Sequence, residues 1–253
     1  MIDVGNLTVF ALVLMRMSGC IFFNPIIGRR NFPAIFKVGL TVLLSIVVVS
    51  FAKITPPDIG TPVEFIICLL KEFLVGYVIG FIITLFSFVI SFGGEVIDMQ
   101  MGMSMSKVYD PQSNVSMSLS ATFYNILYMF LFFAAYGHIT LIRLFIISGE
   151  IVPFGQASFR PELSTAIIDL FCQCTVLAVK LALPIIAIEI IIEIGVGILM
   201  KAIPQINVFV INIQAKLLIG LIMMLVLFAP FSNFLERLVT LLFDTIENVV
   251  RLI

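Results

Sequence analysis

Between Phe92 and Ser118 a strongly apolar helical pattern breaks off. It gives way to Gly93-Gly94, to methionines at alternate positions (Met99, Met101, Met103, Met105) and then to Tyr109-Asp110-Pro111-Gln112. In a chain this apolar, such a break is the strongest constraint on the fold. Backbone at membrane depth has no water to satisfy its N–H and C=O groups, so irregular segments survive there only where protein or an aqueous passage meets them. The segment is therefore expected at a pore, a gate or a subunit interface.

The remainder of the chain supplies the frame. Hydrophobic residues make up 61% and charged residues only 11%, with a mean hydropathy of +1.22, against about 25% charged residues in soluble domains. The composition specifies an integral membrane protein. The start, Met1-Ile2-Asp3, is acidic rather than basic and Arg16 interrupts the first apolar stretch, so the first helix is expected to stay in the mature chain. The net charge of −1 and the lack of any basic cluster beyond Arg29-Arg30 argue against a nucleic-acid surface. Cys20, Cys68, Cys172 and Cys174 lie inside apolar runs, and a Cys-x-Cys pair on a helix points its thiols about 200° apart, which favours packing over disulfides or metal.

Apolar runs predict helices over Val4 to Phe23, Pro33 to Phe51, Phe65 to Phe92, Leu119 to Tyr136, Ala166 to Met200, Leu217 to Phe231 and Phe234 to Ile253. The first two form a hairpin closed by Asn24-Pro25 and Gly28-Arg29-Arg30. The basic residues Arg29, Arg30 and Lys37 place that connection in the cytoplasm, although later loops do not sustain the alternation. The third run, at roughly 28 residues and ~1.5 Å each, reaches ~42 Å, more than the ~30 Å of a hydrocarbon core. It must tilt or project. Gly137-His138 and Arg143 mark a bend after the fourth helix, Ser148 to Pro161 form a loop, and Pro184 kinks the long run after it. The expected architecture is an all-α membrane protein of long kinked helices and helical hairpins with an irregular methionine-rich loop, one domain over residues 1–253.

The last helix is two-sided. Leu235, Leu238, Leu242, Ile246, Val249 and Ile253 recur at three or four, opposite Arg237, Thr240, Asp244, Glu247 and Arg251. Packing on its own bundle and docking a neighbouring subunit are both open. Gly76 and Gly80 form a GxxxG pair suited to close helix approach.

Charges inside apolar helices cost from ~2.5 to over 10 kcal/mol at mid-bilayer and need a partner, water or a proton. Candidates for pairing are Arg16, Lys71, Glu72, Asp169, Lys180, Glu189, Glu193 and Lys201. On an ideal helix Asp169, Gln173 and Lys180 fall within about 40° of one another, whereas Glu189 and Glu193 make an i,i+4 like-charge pair beyond easy reach of Lys180. Structural pairing within or between chains is one explanation, and a shared-proton ion path is the other. Catalysis has no support: His138 is the sole histidine, and the chain has no HExxH, phosphate-binding loop or nucleophile triad. No cofactor or metal site is implied.

Two segments, Met101-Gly102-Met103-Ser104 through Asp110-Pro111-Gln112 and Lys201-Ala202-Ile203-Pro204-Gln205-Ile206-Asn207-Val208-Phe209, resemble the FliR family of type III export-gate proteins, with its virulence-system equivalents. Chain length and the order of apolar segments match as well. The resemblance implies a subunit of the flagellar basal body in the bacterial inner membrane. It would assemble with FliP, FliQ and later FlhB into a helical gate for unfolded flagellar proteins, and many of its apolar helices would pack in the assembly rather than span the bilayer. It also implies that the loop of Met103, Ser104, Met105, Ser106, Lys107, Val108, Tyr109, Asp110, Pro111 and Gln112 plugs the closed channel, and that Pro204, Gln205, Asn207 and Phe209 belong to the family's turn motif. Flexible, polarisable methionines suit a seal around a varying chain. Where relatives carry Gly and Pro after the second motif, this chain has Asn212-Ile213-Gln214, so the turn there is expected to differ. Lys107 and Tyr109 also depart from the family pattern. A secondary transporter using Glu189 and Glu193, the virulence-system equivalent, and a passive scaffold are the competing readings.

Overall fold

The computed structural model describes residues 4–28, 32–51, 60–103, 108–110, 115–203 and 208–253. Among these residues the chain is helical apart from turns and one small hairpin: α1 (Val4–Phe22), α2 (Ala34–Phe51), α3 (Pro62–Gln100), β1 (Val108–Asp110), β2 (Val115–Met117), α4 (Leu119–Ala134), α5 (Gly137–Ile151), α6 (Pro161–Ala202), α7 (Val208–Val226) and α8 (Phe228–Val250). It is an all-α membrane protein by both composition and structure. Among the described residues three helices, α2, α3 and α6, are long and apolar enough to cross a membrane. Two further apolar pairs are bent, α4 with α5 by 69° and α7 with α8 by 62°. The first bend is set at Tyr136, which adopts the left-handed conformation at φ 55.

The long helices outrun their sequence-based boundaries. Helix α3 holds 39 residues and α6 holds 42, about 58 and 63 Å at ~1.5 Å per residue. Helix α3 passes straight through Gly93-Gly94, where the apolar pattern alone predicts a stop. A Cβ on Gly93 would stand 3.0 Å from the Ala178 carbonyl oxygen, and one on Gly94 would collide with the Ala121 backbone. These glycines are therefore contact points rather than breakers, and burial against α6 and α4 outweighs their poor helix propensity of about 1 kcal/mol. Helix α6 continues through Pro184.

The chain divides into two compact units that interleave along the sequence. The first comprises residues 1–86, 132–171 and 239–253. Here α1 packs on α2 and crosses α3 at the GxxxG pair, where a Cβ on Gly76 would collide with the Arg16 carbonyl oxygen and one on Gly80 would stand 2.9 Å from Phe23 Cβ. Asn24 closes α1 by accepting the Ile26 and Ile27 N–H groups on its side-chain oxygen at 2.8 and 3.3 Å. The Lys37 ammonium donates to the Gly28 carbonyl at 2.8 Å. The second unit comprises residues 87–131 and 172–238, and its core includes Ile97, Met101, Ala121, Ala178, Leu181 and Ile185.

Helix α8 packs its apolar face on its own chain. Leu235, Leu238, Leu242, Ile246 and Val249 are buried within the chain, while Arg237, Thr240, Asp244, Glu247 and Arg251 stand exposed. Its apolar face is covered by this protein itself.

Candidate functional site

The methionine-rich segment begins where α3 ends. Met101 N–H donates to the Ile97 carbonyl at 3.0 Å, and Gly102 N–H to the Met99 carbonyl at 3.3 Å. Gly102 then turns the chain at φ +75, a conformation that glycine adopts without steric cost. Met101 is fully buried and Met103 nearly so, whereas Met99 is exposed.

Beyond this base the loop is not wholly irregular. Val108–Asp110 pairs antiparallel with Val115–Met117 in the register Val108↔Met117, Tyr109↔Ser116, Asp110↔Val115. Ser104 to Lys107 and Pro111 to Asn114 lie outside the described residues, so of the candidate plug positions Met103, Val108, Tyr109 and Asp110 are described. A two-stranded hairpin is marginal on its own.

Those ends are well fixed. At the exit, Ser118 Oγ accepts the Ala121 N–H at 3.2 Å, the N-cap arrangement expected of a serine just before Leu119. The buried Asp98 carboxylate accepts the Ser120 N–H, with both oxygens at 3.2 Å, so an α3 side chain supplies negative charge to the positive end of α4. Asn125 adds a 3.3 Å bond from its amide to Ser91 Oγ. Sequence patterning missed Asp98, because its partner lies 22 residues away and only the α3–α4 crossing brings them together.

The charged candidates separate into distinct environments. In the first unit Arg16 and Glu72 form an ion pair at 2.6 Å with neither side chain exposed. Arg16 also donates to the Ser148 and Val152 carbonyls at 2.8 and 2.9 Å and stacks over Phe154 at 4.1 Å. The second Glu72 oxygen accepts the Gly155 N–H at 2.8 Å. In the second unit Glu193 lies at the surface, 3.3 Å from Lys216, a partner that sequence spacing on one helix could not reveal. Glu189 is fully buried, and neither of its oxygens has a hydrogen-bond partner. Lys71 is half-buried, and Asp169, Lys180 and Lys201 are exposed, with no ion pair among the described residues. The two glutamates of α6 differ in burial, with Lys216 close enough to act on both.

Pro204 to Asn207 lie outside the described residues, and Phe209 falls in the first turn of α7. Asn212-Ile213-Gln214 continue that helix without a turn. The residue types explain it, since Gly and Pro are the helix breakers and neither is present. No group of three or more metal-ligating side chains occurs among the described residues.

Comparison with known proteins matches residues 7–242 to the family described as bacterial export proteins, family 1. The chain is 27% identical to the flagellar biosynthetic protein FliR of Bacillus subtilis, over 96% of this chain and 95% of that one. It is 30% identical to FliR of Aquifex aeolicus, over 83% and 81%, and 27% identical to the surface presentation of antigens protein SpaR of Shigella sonnei, over 83% and 80%. A match across nearly the whole length, on a chain of apolar helices interrupted by a hairpin loop, shows that the chain belongs to the FliR family of bacterial export proteins.

Proposed function

We propose that this protein is a non-enzymatic subunit of a flagellar type III export gate, lying in the bacterial inner membrane at the flagellar basal body and passing unfolded flagellar proteins. The observation that carries this reading is the near end-to-end similarity to FliR of Bacillus subtilis. The energy for transport comes from elsewhere in the apparatus.

Within the gate, the loop from Met103 to Gln112 is the plug of the closed channel. Its support is physical. A weak hairpin stands between the Gly102 turn that ends α3 and the capped start of α4, so it can be displaced without unfolding the helices. Methionine thioethers seal without demanding one geometry. The outer faces of α2, α6 and α7 remain apolar, with Ile35, Ile46, Ile191, Ile198, Leu218 and Leu225 more than half exposed. An isolated soluble monomer does not carry so much exposed apolar surface, and these faces meet lipid and the FliP-, FliQ- and FlhB-like subunits. The turn motif Pro204, Gln205, Asn207 and Phe209 serves in that assembly. Lys71, Asp169, Lys180 and Lys201, which find no ion partner among the described residues, pair across subunit boundaries.

The test is a strain in which Ser106 to Asn114 are deleted, assayed for motility, secretion and membrane ion leakage. Leakage with altered secretion is expected. Unchanged secretion without leakage would remove the plug assignment. The match to SpaR supports a second reading, the equivalent subunit of a virulence secretion system. Complementation of a flagellar strain lacking its own FliR separates the two.

A further inference from the structure

Helices α5 and α8 run in the same sense within the first unit. Phe132, whose ring lies against Gly137 at the start of α5, stacks on Phe243 with centroids 6.1 Å apart. Beyond the far ends of the two helices, Ser158 N–H donates to the Ile253 carbonyl at 3.1 Å. A cavity of about 250 Å³ opens between them. Because the helices are co-directional, its lining is polar at one end and apolar at the other. Arg143 of α5 and Asp244 of α8 stand at the first end, and Ile147, Ile151 and Val250 at the second. Both Arg143 and Asp244 are exposed, and neither has a hydrogen bond or ion pair among the described residues. Glu247, also on the lining, is already held by Arg251 at 2.6 Å.

The surface around the polar end has the character of the bilayer's headgroup level. Phe133, Ile139 and Ile142 are exposed and apolar, and Tyr136 is exposed beside them; tyrosine collects where hydrocarbon meets water. An arginine among such residues extends its guanidinium to that level rather than into hydrocarbon. There it meets phosphate, the group with which a guanidinium forms paired, charge-assisted hydrogen bonds. We propose that the α5–α8 groove binds one phospholipid with a zwitterionic, primary-amine headgroup, its phosphate on Arg143, its ammonium on Asp244 and the start of an acyl chain on Ile147, Ile151 and Val250. Asp244 sets the headgroup. Its carboxylate accepts hydrogen bonds from a primary ammonium, whereas a quaternary ammonium has no N–H to give and an anionic headgroup leaves the carboxylate without a cation. Burying the first methylenes against the apolar end adds the hydrophobic part of the affinity. A partner's helix is too large for the space: one turn, ~10 Å across and ~5.4 Å tall, fills roughly 400 Å³.

The test uses the protein purified from membranes in its native complex and stripped of loosely held lipid with detergent. It is then given dioleoyl phosphatidylethanolamine, phosphatidylcholine or phosphatidylglycerol in turn, and bound lipid is counted by native mass spectrometry. The wild type should retain one phosphatidylethanolamine severalfold more tightly than either of the others. Arg143→Gln should lower that retention severalfold. Asp244→Asn should erase the preference for phosphatidylethanolamine over phosphatidylcholine while leaving a phosphate-dependent remainder. Both positions are exposed, so the variants should assemble as the wild type does. Equal retention of the three lipids, a preference for phosphatidylglycerol, or a preference that neither substitution changes would overturn the site. A photo-crosslinking residue at Leu144, on the lining of the same groove, should label lipid. Capture of another polypeptide there would assign the groove to a partner subunit and would also overturn it.

Discussion

Arg16–Glu72 and Glu189 are both ionisable groups buried in apolar helices, yet they are treated in opposite ways. In the first unit every nitrogen and oxygen of the pair has a hydrogen-bond partner: Glu72 for Nε, the Ser148 and Val152 carbonyls for the other two nitrogens, and the Gly155 N–H for the second carboxylate oxygen. The pair ties α1, α3 and the segment after α5 into one body. In the second unit Glu189 has no hydrogen-bond partner and shares its surroundings with Met101 at the foot of the loop. A saturated network has a single low-energy arrangement, whereas an unsaturated one gains from rearrangement. The first unit is thus cross-tied by a satisfied ion pair, whereas the second buries a carboxyl without a hydrogen-bond partner.

The sharpest way to break that comparison is to remove one half of the anchored pair. Arg16→Met should destabilise the first unit by about 3–5 kcal/mol, because it strands Glu72 and two carbonyls in a dry interior. This would be read as a lowered unfolding temperature in detergent and loss of assembled protein. Arg16→Met with Glu72→Met should recover much of the loss, since replacing both partners leaves no lone charge. Next comes Gly76→Ala, which forces α1 off α3 against backbone atoms and should cost on the order of 1–3 kcal/mol by the same measurement. If it were silent, the close crossing would be wrong.

A smaller effect is expected at the loop's exit. Asp98→Ala removes the acceptor for the Ser120 N–H and should cost about 1 kcal/mol, seen as faster hydrogen exchange in the first turn of α4 while the first unit keeps its protection. Smallest is Glu193→Gln. Its bond to Lys216 is largely solvated, with the Glu193 side chain 62% exposed, so the loss should stay below about 1 kcal/mol. A larger loss would show that Glu193 belongs with the buried charges and that the contrast with Arg16–Glu72 is overdrawn.

How far these features could be read from the sequence follows from their range. Helices, the bend near Gly137 and the two faces of α8 rest on local periodicity, and patterning found them. Element ends were less legible: Gly93-Gly94 read as a stop because propensity is local, while the close approach of Ala121 and Ala178 that makes glycine necessary is tertiary. The same limit hid Asp98 and Lys216, whose partners lie on other helices. The i,i+4 pairing of Glu189 and Glu193 was legible, but not that the first is buried and the second stands at the surface. The family's fold transferred readily because apolar order and length suffice for it, but the groove between α5 and α8 needs coordinates.

The most direct test of the account places a photo-crosslinking residue at Tyr109, in the loop of the second unit, and at Glu150, exposed on α5 of the first, in gates stalled with a partly exported substrate. The account predicts that position 109 captures the substrate chain and position 150 does not. Capture at 150 with none at 109 would contradict it, since the methionine-rich loop would then lie off the path that exported protein takes.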